Sequence, residues 1–149
     1  MSVEVRFYHL TRAPLEAALP QVLSKALGRG MRAVVLARTA ERVADLNALL
    51  WTYEPGSFLP HGSKEDGFAE RQPIWLTDVS ENPNAADLLI LTDGAVHHEV
   101  DGFSICCEMI DGRDEQAVAA ARERWRAHRA AGRELTYWQQ GERGWERKA

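Results

Sequence analysis

The sequence predicts an α/β domain of three layers, with helices on both faces of a mostly parallel sheet of about five strands. Three observations carry that expectation. Short apolar runs alternate along the chain with helical patterns. Runs such as Ala33–Ala37 and Leu88–Leu91 are apolar without alternation, as in strands covered on both faces. The 149 residues are long enough to bury a core without metal or disulfide staples.

Val3, Val5 and Phe7 alternate with Glu4, Arg6 and Tyr8, which predicts a first strand. Leu15, Ala18, Leu19, Val22, Leu23, Ala26 and Leu27 then form the stripe of an amphipathic helix. Pro14 suits its first position. Pro20 predicts a kink or a later start, and Gly28 and Gly30 end the helix. A second strand at Ala33–Ala37 leads to a helix capped by Thr39, with Val43, Leu46 and Leu50 inward. Pro73–Thr77 and Leu88–Leu91 give the third and fourth strands, and Ser104–Ile110 a fifth. Asp114 and Glu115 open a last helix that runs to about Ala131 and stops at Gly132. A short apolar tail, Leu135–Trp138, follows, and residues 141–149 read as frayed. The whole, residues 1–149, is expected to be a single domain.

One stretch resists this scheme. After Leu49, Leu50 and Trp51, the chain places Tyr53, Phe58 and Leu59 among Pro55, Gly56, Pro60 and Gly62. That density of proline and glycine excludes helix and interior strand. Large apolar groups on a loop either fold back over the core or form a surface for a partner.

Charge narrows the classes further. The net charge is −4, yet residues 113–149 hold nine Lys/Arg against six Asp/Glu. A basic C-terminal surface within an acidic protein suits an acidic ligand better than DNA coating. The N-terminus has no signal-peptide pattern, no apolar run reaches membrane length, and the adjacent Cys106 and Cys107 make no disulfide framework. A cytoplasmic protein is the simplest expectation.

No catalytic constellation emerges. The turn after the first strand, His9–Ala13, lacks the glycines that let a backbone approach phosphate, so no nucleotide phosphate loop is expected. His97 and His98 are adjacent on an extended segment and point opposite ways, which is no metal pattern. No cofactor and no metal are expected, and Cys106 and Cys107 have no partner for nucleophilic work. The last helix is more informative. Val118, Ala121, Trp125 and His128 make an inward stripe, and Arg122, Arg126, Arg129 and Arg133 a second one beside it. With Trp125, Tyr137 and Trp138 close in sequence, this suggests an anion site beside an apolar pocket. An acidic peptide with an aromatic end would fit. Direct binding of single-stranded nucleic acid through the same basic helix is the alternative.

Six stretches form a signature by their order and spacing: Phe7–Leu10, Leu49–Trp51, Ser57–Gly62, Gln72–Thr77, Ala121–Arg126 and Thr136–Trp138. On these the chain resembles, over nearly its whole length, the chi subunit family of bacterial DNA polymerase III holoenzyme. The resemblance implies a Rossmann-like fold without nucleotide binding and a non-catalytic accessory subunit of the clamp-loader complex. It implies a heterodimer with the psi subunit through Trp51 and Phe58. It also implies binding of the acidic C-terminal tail of single-stranded-DNA-binding protein by Arg122 and Arg126, with Trp125, Arg129 and Gly132 nearby. DNA contact would then be indirect.

Overall fold

The computed structural model describes residues 3–54 and 59–149. Eight strands among them form one sheet: β1 (Glu4–Leu10), β2 (Ala33–Leu36), β3 (Gly62–Ser63), β4 (Ile74–Thr77), β5 (Leu88–Leu91), β6 (Ile105–Asp111), β7 (Glu134–Gly141) and β8 (Gly144–Arg147). Their order is β3-β4-β2-β5-β6-β1-β7-β8. Every neighbouring pair is parallel except β7 with β8. Three α-helices lie among the described residues: α1 (Leu15–Gly28), α2 (Ala40–Thr52) and α3 (Glu115–Ala130).

The helices divide between the faces of the sheet as the apolar stripes require. Leu19 and Leu23 of α1 and Leu46 and Leu50 of α2 pack with Val35, Leu76, Ile90 and Met109. On the other face Ala121, Val118 and Trp125 of α3 pack with Val5, Phe7, Cys106 and Ile110. Alternate residues of each strand feed the two cores, which is the period of a pleated strand. The three-layer α/β expectation is met, with more strands than the sequence advertised.

Two readings left open by the sequence are decided, and one expectation is revised. Helix α1 begins before Pro20 and runs through it to Gly28, with Pro20 buried beside Leu19. Pro20 removes one intrahelical donor, and the burial of its neighbours offsets that cost. Leu59 is buried in the α1/α2 core and Tyr53 packs against it, so part of the proline-rich loop folds back. Gly62–Ser63 then adds a two-residue edge strand to β4. The revision concerns residues 141–149, read as frayed. Gly144–Arg147 instead pairs antiparallel with Trp138–Gly141, and Trp145 packs against the core. The turn is two residues long with Gly144 at φ 119°, a left-handed conformation that favours glycine.

The same hairpin explains chemically why the first βα turn carries no phosphate loop. The N-cap of α1 is Pro14, which offers no capping side chain. The amides of Thr11, Arg12 and Ala13 all donate to Oε1 of Gln140, at 2.9, 2.9 and 3.0 Å. A side-chain carbonyl from β7 thus occupies the donors that an anion takes in nucleotide-binding relatives of this architecture.

Candidate functional site

Helix α3 carries the principal candidate. Asp114 caps it, its Oδ1 accepting from the amides of Gln116 and Ala117 at 2.9 and 3.2 Å. Gly132, at φ 78°, closes it in the left-handed conformation. The inward stripe is as read: Ala121 and His128 are buried, and Val118 and Trp125 pack on the core. A feature absent from the sequence reading fixes the helix on the sheet. Glu108 of β6 is buried, and the Arg124 Nε donates to its Oε1 at 2.7 Å. His128 Nε2 lies 3.5 Å from the other carboxylate oxygen. Arg133 in turn donates to His128 Nδ1 and forms a two-point ion pair with Asp101.

Between α3 and the sheet lies an apolar cavity of about 340 Å³, lined by Phe7, Val118, Ala121, Trp125 and Tyr137 together with Arg122, Arg126 and Ala149. Phe7 is fully buried. Trp125 meets it edge-on at 5.2 Å between ring centroids, and Tyr137 lies nearly parallel to it at 6.5 Å. Trp125 and Tyr137 meet edge-on at 6.0 Å, so three rings fix the pocket's shape. The Tyr137 hydroxyl is 2.7 Å from His9 Nδ1.

Arg122 brings positive potential to this wall. Burial pushes the Tyr137 hydroxyl above its ordinary titration range, and Arg122 pulls against that shift. Burial holds His9 below the ordinary histidine value, and Arg122 adds to the effect. Among the described residues Arg122 makes no ion pair, so its charge is available to a ligand. Arg126 is exposed and pairs with Glu123 one turn away, an interaction a competing carboxylate can replace.

The predicted residues separate in the structure. Arg122, Trp125 and Arg126 line one cavity. Arg129 is exposed farther along α3, and Gly132 acts as the helix terminator; neither lines the cavity. Arg133 belongs to the Asp101 ion pair rather than to the ligand-facing stripe. Tyr137 and Trp138 fall on opposite faces of the sheet, because successive residues of β7 alternate. Phe7 was not predicted as part of a site. Its membership follows from β7 pairing with β1 in a register that sets Tyr137 beside Phe7.

Trp51 lies elsewhere, on α2. It is 55% exposed, and its indole tilts against the ring of His61 at 4.9 Å. His61 is itself buried, with Nδ1 2.6 Å from the Leu59 carbonyl and Nε2 3.2 Å from that of Asn47. This buried ring, set between the two carbonyls, is the seat for Trp51. Phe58, the other predicted anchor, lies outside the described residues.

His97 and His98 do point opposite ways. The His97 ring is buried, with Nδ1 accepting from the Glu99 amide, so Nε2–H donates to the Glu81 carbonyl. Cys106 and Cys107 are buried in the two opposite cores, and desolvation pushes the Cys107 thiol up to about 12.

Residues 2–136 match the family described as DNA polymerase III chi subunit, HolC. The chain belongs to the chi subunit family. The probable DNA polymerase III subunit chi of Rickettsia prowazekii (strain Madrid E) is 34% identical to it over 84 residues. That alignment covers 56% of this chain and 51% of the relative, so the chain matches about half the length of that curated chi protein. The chi family match includes Phe7, Trp51 and all of α3, and ends one residue before Tyr137. Tyr137, Trp138 and the hairpin residues that follow, Gln140 among them, lie beyond it. No helix among the described residues is long and apolar enough to cross a membrane.

Proposed function

We propose that the protein is a non-catalytic adaptor of the DNA polymerase III clamp-loader complex that uses two separate surfaces. One grips the acidic C-terminal tail of single-stranded-DNA-binding protein, and the other, around Trp51 and Phe58, holds the psi subunit. The observation that carries this reading is the cavity under α3. An apolar pocket floored by Phe7, Trp125 and Tyr137 suits an aromatic side chain. Arg122 and Arg126 at its rim suit the terminal carboxylate and aspartates of such a tail. The family membership supports an accessory role in replication. Trp51, large and exposed on a rigid seat, is the kind of residue that anchors an interface.

The test is binding of a labelled acidic peptide ending in Phe, followed by anisotropy. Arg122→Ala removes a charge-assisted contact and should weaken binding by roughly 10- to 100-fold. Trp51→Ala should leave peptide binding intact and abolish co-purification with psi. Loss of peptide binding in a still-folded Trp51→Ala protein, or full affinity in Arg122→Ala, would show the two-surface reading to be wrong.

A further inference from the structure

The opposite face of the sheet holds a second cleft, of about 520 Å³, between α1 and the β7–β8 hairpin. It exists because α1 leaves part of that face of β1, β7 and β8 uncovered. Five cations line it: Arg6 on β1, Arg12 in the turn that follows, Lys25 in the last turn of α1, Arg29 at its C-cap, and Arg143 in the hairpin turn. None of the lining residues is acidic. In a chain of net charge −4, that concentration is not what a solvated surface averages to. Glu4 pairs with Arg6 at 2.9 Å, and Glu142 approaches Arg12 at 3.8 Å with both side chains well exposed. Lys25, Arg29 and Arg143 make no ion pair among the described residues.

The floor is aromatic. Tyr8 and Trp138 are register partners on β1 and β7, and Trp145 of β8 meets Tyr8 edge-on at 4.8 Å. The Trp138 indole is held by a hydrogen bond from Nε1 to Thr136 Oγ1 at 2.9 Å. All three are only partly buried. Arg6 and Tyr8 of β1 line the cleft, Arg12 follows the C-terminal end of that strand, and Arg29 follows the far end of α1, whose 14 residues span roughly 20 Å at about 1.5 Å each. The cations are spread along that length instead of converging on one point. The backbone amides of Thr11, Arg12 and Ala13, at one end of the cleft, are filled by Gln140.

We infer that this cleft binds a short segment of single-stranded nucleic acid, with phosphates on the cations and bases against the rings of Tyr8, Trp138 and Trp145. Spread cations track a backbone, and partly open rings accept unstacked bases of any sequence. A mononucleotide would need convergent donors, which Gln140 has taken. A duplex keeps its bases stacked and has no use for the rings. This site is distinct from the pocket under α3 and does not depend on it, since the two lie on opposite faces of the sheet.

The experiment uses the full chain and a fluorescein-labelled oligo-deoxythymidine, titrated by anisotropy between 50 and 200 mM salt. Wild type should bind saturably, with affinity falling as salt rises. Lys25→Ala/Arg29→Ala changes two exposed side chains and should keep the wild-type melting curve. It should weaken binding at least about 10-fold at low salt and flatten the log–log salt slope by about 1.4, the value for two lost phosphate contacts. Trp145→Leu should weaken binding at every salt without altering that slope, and Arg122→Ala should change nothing. No binding by wild type at 50 mM salt overturns the inference. So does loss of oligonucleotide binding in Arg122→Ala with retention in the double variant. An aspartate-rich peptide that binds wild type but not the double variant, with the oligonucleotide binding neither, would make the cleft a peptide site and equally overturn it.

Discussion

Arg124→Ala tests how the α3 surface is held in place. Glu108 is 2% exposed, and its carboxylate has two cationic or donor neighbours, Arg124 at 2.7 Å and His128 at 3.5 Å. Without Arg124 the carboxylate keeps only the long His128 contact. Removing one member of a buried pair costs about 3–5 kcal/mol, because the remaining charge is left without compensation. The Arg124 side chain is 23% exposed, so water can reach part of the vacated space and the lower end of that range applies. At about 3 kcal/mol, the melting temperature of a domain this size should fall by roughly 6–12 °C. Urea unfolding should show a lower midpoint with an unchanged m-value. Replacing both partners, in Glu108→Met/Arg124→Met, should recover most of the loss, because a matched apolar pair carries no desolvation penalty. A loss below about 1 kcal/mol in the single variant, or an equal loss in the double, would refute the assignment of Glu108–Arg124 as a buried, coupled pair.

Two further outcomes follow from the wall of the α3 pocket. A Cβ at Gly112 would overlap both the His9 ring and the Leu10 carbonyl oxygen, and the second of these is backbone and cannot rotate away. Gly112→Ala should therefore cost about 1–3 kcal/mol in urea unfolding and disturb the His9–Tyr137 contact. His9 has a folded pKa below its ordinary 6.5, from burial first and then from Arg122. A lowered histidine stabilises the fold while neutral. Its contribution is complete above about pH 6.5 and is lost as pH falls through the lowered value. NMR titration should find the His9 midpoint below 6.5 in wild type and closer to it in Arg122→Ala; an unmoved midpoint would separate Arg122 from this wall.

What could be read from the residues alone depended on whether the signal was local. The interior strands were legible because Ala33–Leu36 and Leu88–Leu91 are covered on both sides, and only apolar residues survive there. The inward stripe of α3 was legible because a helix repeats its buried face every turn. Strand β7 was not. Its sequence mixes Glu134, Thr136, Gln139 and Gln140 with Leu135, Tyr137 and Trp138, because it lies next to the sheet edge and is only half covered on each side. Strand β3 escaped notice because two residues, Gly62 and Ser63, carry no pattern. The candidate pocket was half legible for the same reason. Arg122, Trp125 and Arg126 share one helix, but their floor comes from Phe7 and Tyr137, joined only by strand order. Gln140 capping a turn 127 to 129 residues away is likewise invisible to any local reading.

Strand β7 gives one aromatic ring to each side of the sheet: Tyr137 toward the cavity under α3 and Trp138 toward the α1 cleft. The two surfaces therefore share a common wall one residue thick. Substitutions can damage either surface alone, but a shift of register cannot. Loss or gain of one residue between Glu134 and Tyr137 would turn each ring to the wrong side and withdraw Gln140 from its turn at the same moment. The two surfaces are separate in place and inseparable in how the chain must fold to make them.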